Sequence, residues 1–298
     1  MNKKISVTVV VPAYNEEKNI RSVIESILFQ SQKNYELDNV LVISDGSTDD
    51  TVGEVNKVWH IKVRLIDDAT RMGKVKRLNY AFACNTSDVL IQFDADIILK
   101  DSHTIEKLVE PFIKNKKVAV VYGNQIPEEP KTYIGKLAYF GFYLWEEAKK
   151  MVYADRYNCF GCITAFSKRF LDVYKLPEDR FYTEDTYSFY YAKKSGYITY
   201  FQQSACVYFK LPATFLDYVK QMNRYLTTAN GLKTIFGEEI IHRYETITYA
   251  IKLKAFIKSS FKNSVFIVFG YFLLQLTTNI YTIFHTQNSL WGMSSSSK

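Results

Sequence analysis

The stretch Val89-Leu90-Ile91-Gln92-Phe93-Asp94-Ala95-Asp96 decides the fold. It begins as an apolar run rich in Val and Ile, the composition of a strand buried in a parallel sheet. It ends on two carboxylates one residue apart. In open α/β sheets the carboxyl ends of the strands are where ligands bind. Side chains two residues apart on an extended chain point the same way, so Asp94 and Asp96 can converge on one hard cation. One or two carboxylates, completed by substrate phosphates, are the usual way to hold Mg²⁺ or Mn²⁺. The competing reading of a short D-x-D is a strand that ends in a solvated acidic turn, and only the neighbouring segments separate the two.

Outward from that strand the chain alternates strands and helices. Ile5 to Val11 is a β-branched run closed by Pro12, a buried first strand. Ala13-Tyr14-Asn15-Glu16-Glu17 then opens a helix with Asn15 at the N-cap, and Ile20, Val23, Ile24, Ile27 and Leu28 mark its apolar face. Val40 to Ile43 is a second strand that delivers Ser44-Asp45-Gly46-Ser47-Thr48-Asp49. Ile61 to Ile66 is a third, and Lys74 to Cys84 a helix that leads into the central strand. Ile105 to Lys114 and Val118 to Tyr122 add a further helix and a fifth strand. This alternation predicts an α/β fold with a Rossmann-like, mostly parallel central sheet flanked by helices. No G-x-G-x-x-G follows the first strand and no G-x-x-x-x-G-K-S/T occurs, which argues against a dinucleotide site or a P-loop. Pro127 and Pro130 around Glu128-Glu129 mark a break. The chain is therefore divided into halves at 1–125 and 126–230, with a helical region at 231–298.

Composition narrows the class. A 47% hydrophobic content over 298 residues supports a sizeable core. The 23 Tyr and 21 Phe are many, and sugar or lipid surfaces are one reason for such a count. The net charge of +7 fits either a solvated basic surface or attraction to anionic lipid or substrate; no nucleic-acid partner is expected. Four Cys do not make a disulfide framework at this length. The lone Cys159-Phe160-Gly161-Cys162 has no second pair to complete a zinc site and reads as structural. That cysteine usage leads to the expectation of a reducing compartment, and Met1-Asn2-Lys3-Lys4 opens into a short strand-like run and not a long apolar leader.

Val10-Val11-Pro12-Ala13-Tyr14-Asn15-Glu16-Glu17, then Ser44-Asp45-Gly46-Ser47-Thr48-Asp49, then Asp94-Ala95-Asp96 resembles the inverting family 2 glycosyltransferases of GT-A fold. The resemblance runs from about Val7 to Tyr225. It implies that the first two loops hold the nucleotide of a nucleotide-sugar. Asp45 would meet the base or ribose, with Glu16 and the backbone near Pro12 and Tyr14 beside it, and Asp94 and Asp96 would hold Mg²⁺ or Mn²⁺. Many members carry two acids where this chain has Ser44-Asp45. Arg71-Met72-Gly73-Lys74 resembles the family's G-K segment beside the donor; a Gly turn followed by cations at a helix start suits a diphosphate, with Lys74 first choice for that contact and Arg71 second.

The second half resembles the family's acceptor side. Asn158 to Phe170 matches its Gly-containing acceptor loop through Gly161. Glu184-Asp185 matches its E-D motif, in which the Asp is the general base and the Glu lies in the acceptor site. An inverting transfer needs such a carboxylate to take the acceptor hydroxyl's proton; the alternative is an acidic first turn favoured by the helix dipole. Gln221-Met222-Asn223-Arg224-Tyr225 resembles the Q-x-x-R-W of the processive cellulose, chitin and hyaluronan synthases. Gln221 and Arg224 share a helical face, Arg224 steadying the departing diphosphate, and Tyr225 stands where Trp would floor the acceptor site.

Near the C-terminus, Lys252, Lys254, Lys258 and Lys262 precede Ser264 to Phe284, a run without charge. It is long enough to span a bilayer, though Gln275, Thr277, Thr278 and Asn279 leave an interfacial or a buried helix open. Residues 285–298 read as a flexible Ser-rich tail. The expectation is a metal-dependent inverting glycosyltransferase on the cytoplasmic face of a membrane. A UDP-sugar is its expected donor, GDP-mannose stays open, and a glycan or glycolipid hydroxyl is its acceptor. Two other classes compete. A sugar-nucleotide nucleotidyltransferase would need a Gly-rich basic loop after the first strand. A non-catalytic membrane-surface binding protein would have no use for intact Asp94, Asp96, Asp185 and Arg224.

Overall fold

The computed structural model describes residues 4–152, 155–178, 182–245 and 247–284, the side chains of 155–156, 226–230 and 282–284 excepted. The Ser-rich tail expected at 285–298 lies outside the described residues. In chain order the strands are β1 (Ile5–Ala13), β2 (Tyr35–Asp45), β3 (Val63–Asp68), β4 (Val89–Phe93), β5 (Ile97–Leu99), β6 (Val118–Pro127), β7 (Ile163–Ser167) and β8 (Ile198–Phe209). The helices are α1 (Ile20–Leu28), α2 (Thr51–Asn56), α3 (Lys74–Cys84), α4 (Thr104–Lys114), α5 (Tyr133–Lys149), α6 (Lys168–Leu171), α7 (Glu184–Lys194), α8 (Phe215–Phe236), α9 (Glu238–Tyr244), α10 (Tyr249–Ser260) and α11 (Val265–Phe284).

The described residues fall into two compact units, one running to Ile126 and resuming at Asn158–Phe209, the other built from Pro127–Tyr157 and the described chain from Lys210 onward. The first unit carries the sheet, in the order β3-β2-β1-β4-β7-β6-β8-β5. Strands β3, β2, β1 and β4 run parallel, as the alternating pattern predicts. Beyond β4 the sheet becomes mixed, with β7 antiparallel to both β4 and β6 and β5 antiparallel to β8. Every residue of β4 is buried. The buried face of α1, with Ile20, Val23, Ile24 and Ile27, lies in the same core as Val9, Val42, Ile91 and Phe93. Burial of each such side chain stabilises the fold by about 1.5–3 kcal/mol.

Two local expectations change. Asn15 is not an N-cap: α1 starts at Ile20, and Asn15 sits at φ 55°, a left-handed conformation that Asn tolerates. There its Oδ1 accepts from the Thr48 amide at 2.7 Å, tying the loop after β1 to the loop after β2. The segment Asp94-Ala95-Asp96 is likewise not an extension of β4. It turns immediately after Phe93, because Ala95 is buried and the chain must reach β5.

The second unit is helical. Leu137 and Ala138 of α5, Tyr218 of α8 and Leu274 of α11 form its small core. A Cβ on Gly141 would lie 2.6 Å from the Tyr271 ring, so only glycine lets α5 and α11 approach this closely. The C-terminal run expected to be long enough to span a bilayer is α11, but no helix among the described residues is long and apolar enough to cross a membrane. Its polar residues explain this: Gln275 Nε2 donates to Tyr218 Oη at 2.6 Å and Thr278 is buried, so one side of α11 is committed to protein.

Gly46 sits at φ 71°, and a Cβ there would lie 2.8 Å from the Arg71 amide nitrogen. Gly46→Ala is therefore expected to cost about 1–3 kcal/mol, read as a drop of several degrees in Tm; an unchanged Tm would show that the 69–71 loop yields. On α5, Glu147 pairs with Lys150 at 2.8 Å and with Lys258 of α10 at 2.7 Å. Lys150 first and then Lys258 pull its carboxyl down to about 2 from an ordinary 4.5. A carboxylate depressed in the folded state stabilises above its unfolded pKa and loses that contribution as pH falls through the folded one. The stability gap between wild type and Glu147→Gln, about 1 kcal/mol at neutral pH, should close between pH 4.5 and about 2 in thermal melts.

Candidate active site

The carboxyl end of β2 delivers Asp45 into a knot of backbone and charge. Asp45 Oδ1 accepts from the Met72 amide at 2.8 Å and from Arg77 Nε at 2.7 Å, and Oδ2 accepts from the Gly73 amide at 2.8 Å. Arg77 continues the knot, donating from Nη1 to Asp68 at 2.8 Å and from Nη2 to the Thr70 carbonyl at 2.6 Å. The Thr70 amide and then Arg77 hold the Asp68 carboxyl below the usual carboxylate range. Asp45 is only 5% exposed, so three of its acceptor positions already shape the 70–77 loop. Arg77 was not singled out in the sequence. Its signal is a cation on the apolar side of α3, buried alongside Leu78, Ala81 and Phe82.

The loop after β1 packs against the loop after β2. Pro12 belongs to β1, paired with Ile43. The Glu16 amide donates to Thr51 Oγ1 at 2.7 Å, and its buried carboxylate accepts from Asn19 Nδ2 at 3.0 Å. Tyr14 lies under the Arg71 guanidinium, 3.9 Å from ring centroid to Cζ, so the loops after β1 and β3 also meet.

Lys74, the first residue of α3, reaches across to the end of β4. Its Nζ donates to Asp94 Oδ1 at 2.6 Å and also pairs with Glu184, the first residue of α7. Burial works against the ammonium, but Asp94 and Glu184 outweigh it and raise its pKa. Asp94 is pushed up to about 6, by burial first, against Lys74, with the charges of Asp96 and Glu184 adding to it. Two carboxylates thus share one ammonium, and with the charge of Asp96 acting on Asp94 the place carries a local excess of negative charge on hard oxygen donors. No group of three or more His, Cys, Asp or Glu among the described residues encloses a metal position. Asp94 and Asp96 supply hard oxygen donors, the chemistry by which one or two carboxylates hold a divalent cation together with phosphate oxygens.

Asp185 is tied to the same place by the turn that precedes β7. Its Oδ2 accepts from the Gly161 amide at 3.1 Å and its Oδ1 from the Thr186 amide at 2.6 Å. The Gly161 carbonyl accepts from Gln92 Nε2 at 2.9 Å, and the next carbonyl, of Cys162, accepts from the Asp94 amide at 3.2 Å. One peptide turn therefore links the start of the D-x-D to the acid of the E-D pair. Tyr122 Oη braces α7 from below, donating to the Asp185 carbonyl at 3.2 Å. The Cys162 thiol of this turn is raised well above its usual range by burial, then by Asp94 and Asp96, and no disulfide joins it to the buried Cys159. Gln92 is the other residue the sequence reading passed over; the available signal was one amide, 1% exposed, inside an apolar strand.

Of the expected site residues, Asp45, Lys74, Asp94, Asp96, Gly161, Glu184 and Asp185 come together at one end of the first unit's sheet. Gln221, Arg224 and Tyr225 lie on α8 in the second unit, where Arg224 Cζ is 5.8 Å from the Tyr225 ring centroid.

Known proteins share this architecture. The solved structure of the mannosyltransferase PcManGT from Pyrobaculum calidifontis, in complex with GDP-Man and Mn²⁺, matches with a TM-score of 0.62 at 17% identity, over 95% of this chain and 81% of that one. Glucosyl-3-phosphoglycerate synthase from Mycobacterium tuberculosis, in complex with Mn²⁺, UDP and glucosyl-3-phosphoglycerate, matches with a TM-score of 0.53 at 18% identity, over 78% and 80%. Both likenesses are of fold. In sequence, an uncharacterised glycosyltransferase of Haemophilus influenzae is 33% identical over 117 residues, 39% of this chain and 35% of that protein. The chain spans about a third to a half of the length of the curated relatives it matches. Residues 8–175, from β1 through the Asp45 knot, the D-x-D turn and the Gly161 turn, match the model of Glycosyl transferase family 2, and the chain belongs to that family.

Proposed function

We propose that the protein transfers a sugar from a nucleoside-diphosphate sugar to a hydroxyl of a glycan or glycolipid, with inversion at the anomeric carbon. The observation that carries this reading is the Gly161–Cys162 turn. It sets the carboxylate of Asp185 at a fixed reach from the D-x-D carboxylates, where the diphosphate of a donor would be held. Asp185 accepts the proton of the acceptor hydroxyl as that oxygen bonds to the anomeric carbon, and the bond from that carbon to the diphosphate oxygen breaks. The product is a glycoside, the leaving group a nucleoside diphosphate. Mg²⁺ or Mn²⁺ on Asp94 and Asp96 would offset the charge of the leaving diphosphate. Lys74 holds Asp94 and Glu184 in place, so its part is to position these carboxylates.

The loops after β1 and β2, with Pro12, Tyr14, Glu16 and Asp45, would receive the nucleoside. A uridine diphosphate sugar is the first donor to test. The Mn²⁺ and UDP held by the Mycobacterium tuberculosis enzyme support that choice, and the GDP-Man held by the Pyrobaculum protein makes guanosine the next. An acceptor hydroxyl is favoured over an ionised lipid phosphate because the phosphate would leave Asp185 without a proton to take.

The test is nucleoside diphosphate release from a panel of UDP- and GDP-sugars with Mn²⁺ or Mg²⁺. One donor should be turned over, and chelator should stop the reaction. Asp185→Asn should lower kcat by about a hundredfold or more while calorimetry still detects nucleotide binding. Silence across the panel together with absent nucleotide binding would sink the proposal. Gln92→Met keeps the volume and removes the hydrogen bond to the Gly161 carbonyl. It should lower kcat about tenfold, roughly 1.4 kcal/mol in the barrier, with donor KM within about twofold and Tm near wild type. An increase in KM at unchanged kcat would mean that Gln92 serves donor binding and not the placement of Asp185.

A further inference from the structure

Helix α11 presents two unlike sides. Toward protein it packs Leu274, Tyr271, Gln275 and the buried Thr278 on α5 and α8. Away from protein, Val265, Phe266, Phe269, Phe272, Leu276 and Ile280 recur at helical spacing, and all are exposed. Phe266 is 81% exposed, and Phe261 in the turn before α11 is 88% exposed. A groove of about 340 Å³ between α10 and α11, lined by Phe256, Val265, Val268, Phe269 and Phe272, continues the apolar surface. Scattered exposed apolar residues are ordinary, but a contiguous aromatic face marks a surface built to be covered.

The charge around this face says what covers it. Lys252, Lys254, Lys258 and Lys262 are all exposed on α10 and the turn after it, and no Asp or Glu follows Glu245 in the chain. Glu147 answers Lys258 and, at 4.0 Å, Lys262, which leaves Lys252 and Lys254 outside that cluster. Exposed apolar side chains on α11 together with exposed lysines on α10 complement the interface of an anionic bilayer, where acyl chains lie beneath negative headgroups. A second copy of the same face would bring two lysine sets together without an acid on α10 or α11 to answer either.

We infer that α10 and α11 seat the protein on an anionic lipid surface, α11 lying in the plane of the interface with the Phe266–Phe269–Phe272 side down. An interfacial helix ordinarily turns a polar side to water; here α5 and α8 take the place of water on that side, which explains why a helix with no charge in its own span need not cross the bilayer. This inference is independent of the proposed chemistry.

The test is co-sedimentation of the full chain with vesicles of phosphatidylcholine alone and of phosphatidylcholine with phosphatidylglycerol, at low and high salt. Binding should require phosphatidylglycerol and weaken severalfold as salt screens the lysines. Phe266→Ser with Phe269→Ser should lower partitioning at least tenfold, and Lys252→Glu with Lys254→Glu should remove the preference for anionic lipid. Circular dichroism melts show whether each variant is folded, and because these side chains point away from the core both should melt like wild type. Failure of the folded wild type to bind either vesicle would overturn the inference. So would a concentration-dependent dimer in sedimentation velocity that the Phe266→Ser, Phe269→Ser variant abolishes, since the face would then belong to a second copy.

Discussion

One ammonium group organises the carboxyl end of the sheet. Lys74 Nζ bonds to Asp94 at the end of β4 and to Glu184 at the start of α7, two segments remote in the chain. With Asp96 close enough to raise Asp94's pKa, three carboxylates crowd one place, and without a cation their mutual repulsion would drive them apart or protonate them. A single Lys bonds two of them and leaves the group net negative. Under the proposed function, that residual charge is what a divalent cation, and through it a diphosphate, would meet.

Around that centre the protein fixes its loops through buried carboxylates. Asp45 takes two amides and Arg77 on three of its acceptor positions, and Glu16 gives its amide to Thr51 while its carboxylate accepts from Asn19. Each loop at this end of the parallel strands is bound to its neighbour: Asn15 to Thr48, Tyr14 to Arg71, Asp45 to Met72 and Gly73. A site held by groups whose own partners are satisfied is already arranged before a ligand arrives, which lowers the cost of binding. The Gly161–Cys162 turn extends this rigidity to Asp185, since its carbonyls take hydrogen bonds from Gln92 and Asp94 while the Gly161 amide gives one to the Asp185 carboxylate.

The second unit follows another rule. Its helices approach through glycine, as at Gly141 against Tyr271, and keep polar contacts such as Gln275 with Tyr218 on the inner side. Apolar composition therefore ends up outside, on the Phe266–Phe272 side of α11. The same run of residues has the length of a membrane span, and only the inward placement of Gln275 and Thr278 gives it a protein side and an apolar side.

The sequence by itself determined the alternation of strands and helices, the burial of β4, the apolar face of α1 and the extent of α3. Those features arise from short continuous apolar runs and a 3.6-residue periodicity, which are local and survive without any knowledge of the partner segments. It also supplied the family, because the loop motifs stand in order after predicted strands. Only the tertiary structure decided that Asn15 is a left-handed link and not a cap, that Asp94 and Asp96 sit on a turn, that Lys74 answers two carboxylates, and that Gln92 reaches the Gly161 carbonyl. The physical reason is the same each time. A hydrogen bond or ion pair between segments far apart in the chain leaves no periodic trace in either, so the role of the residue exists only once the sheet has brought its partner within about 3 Å.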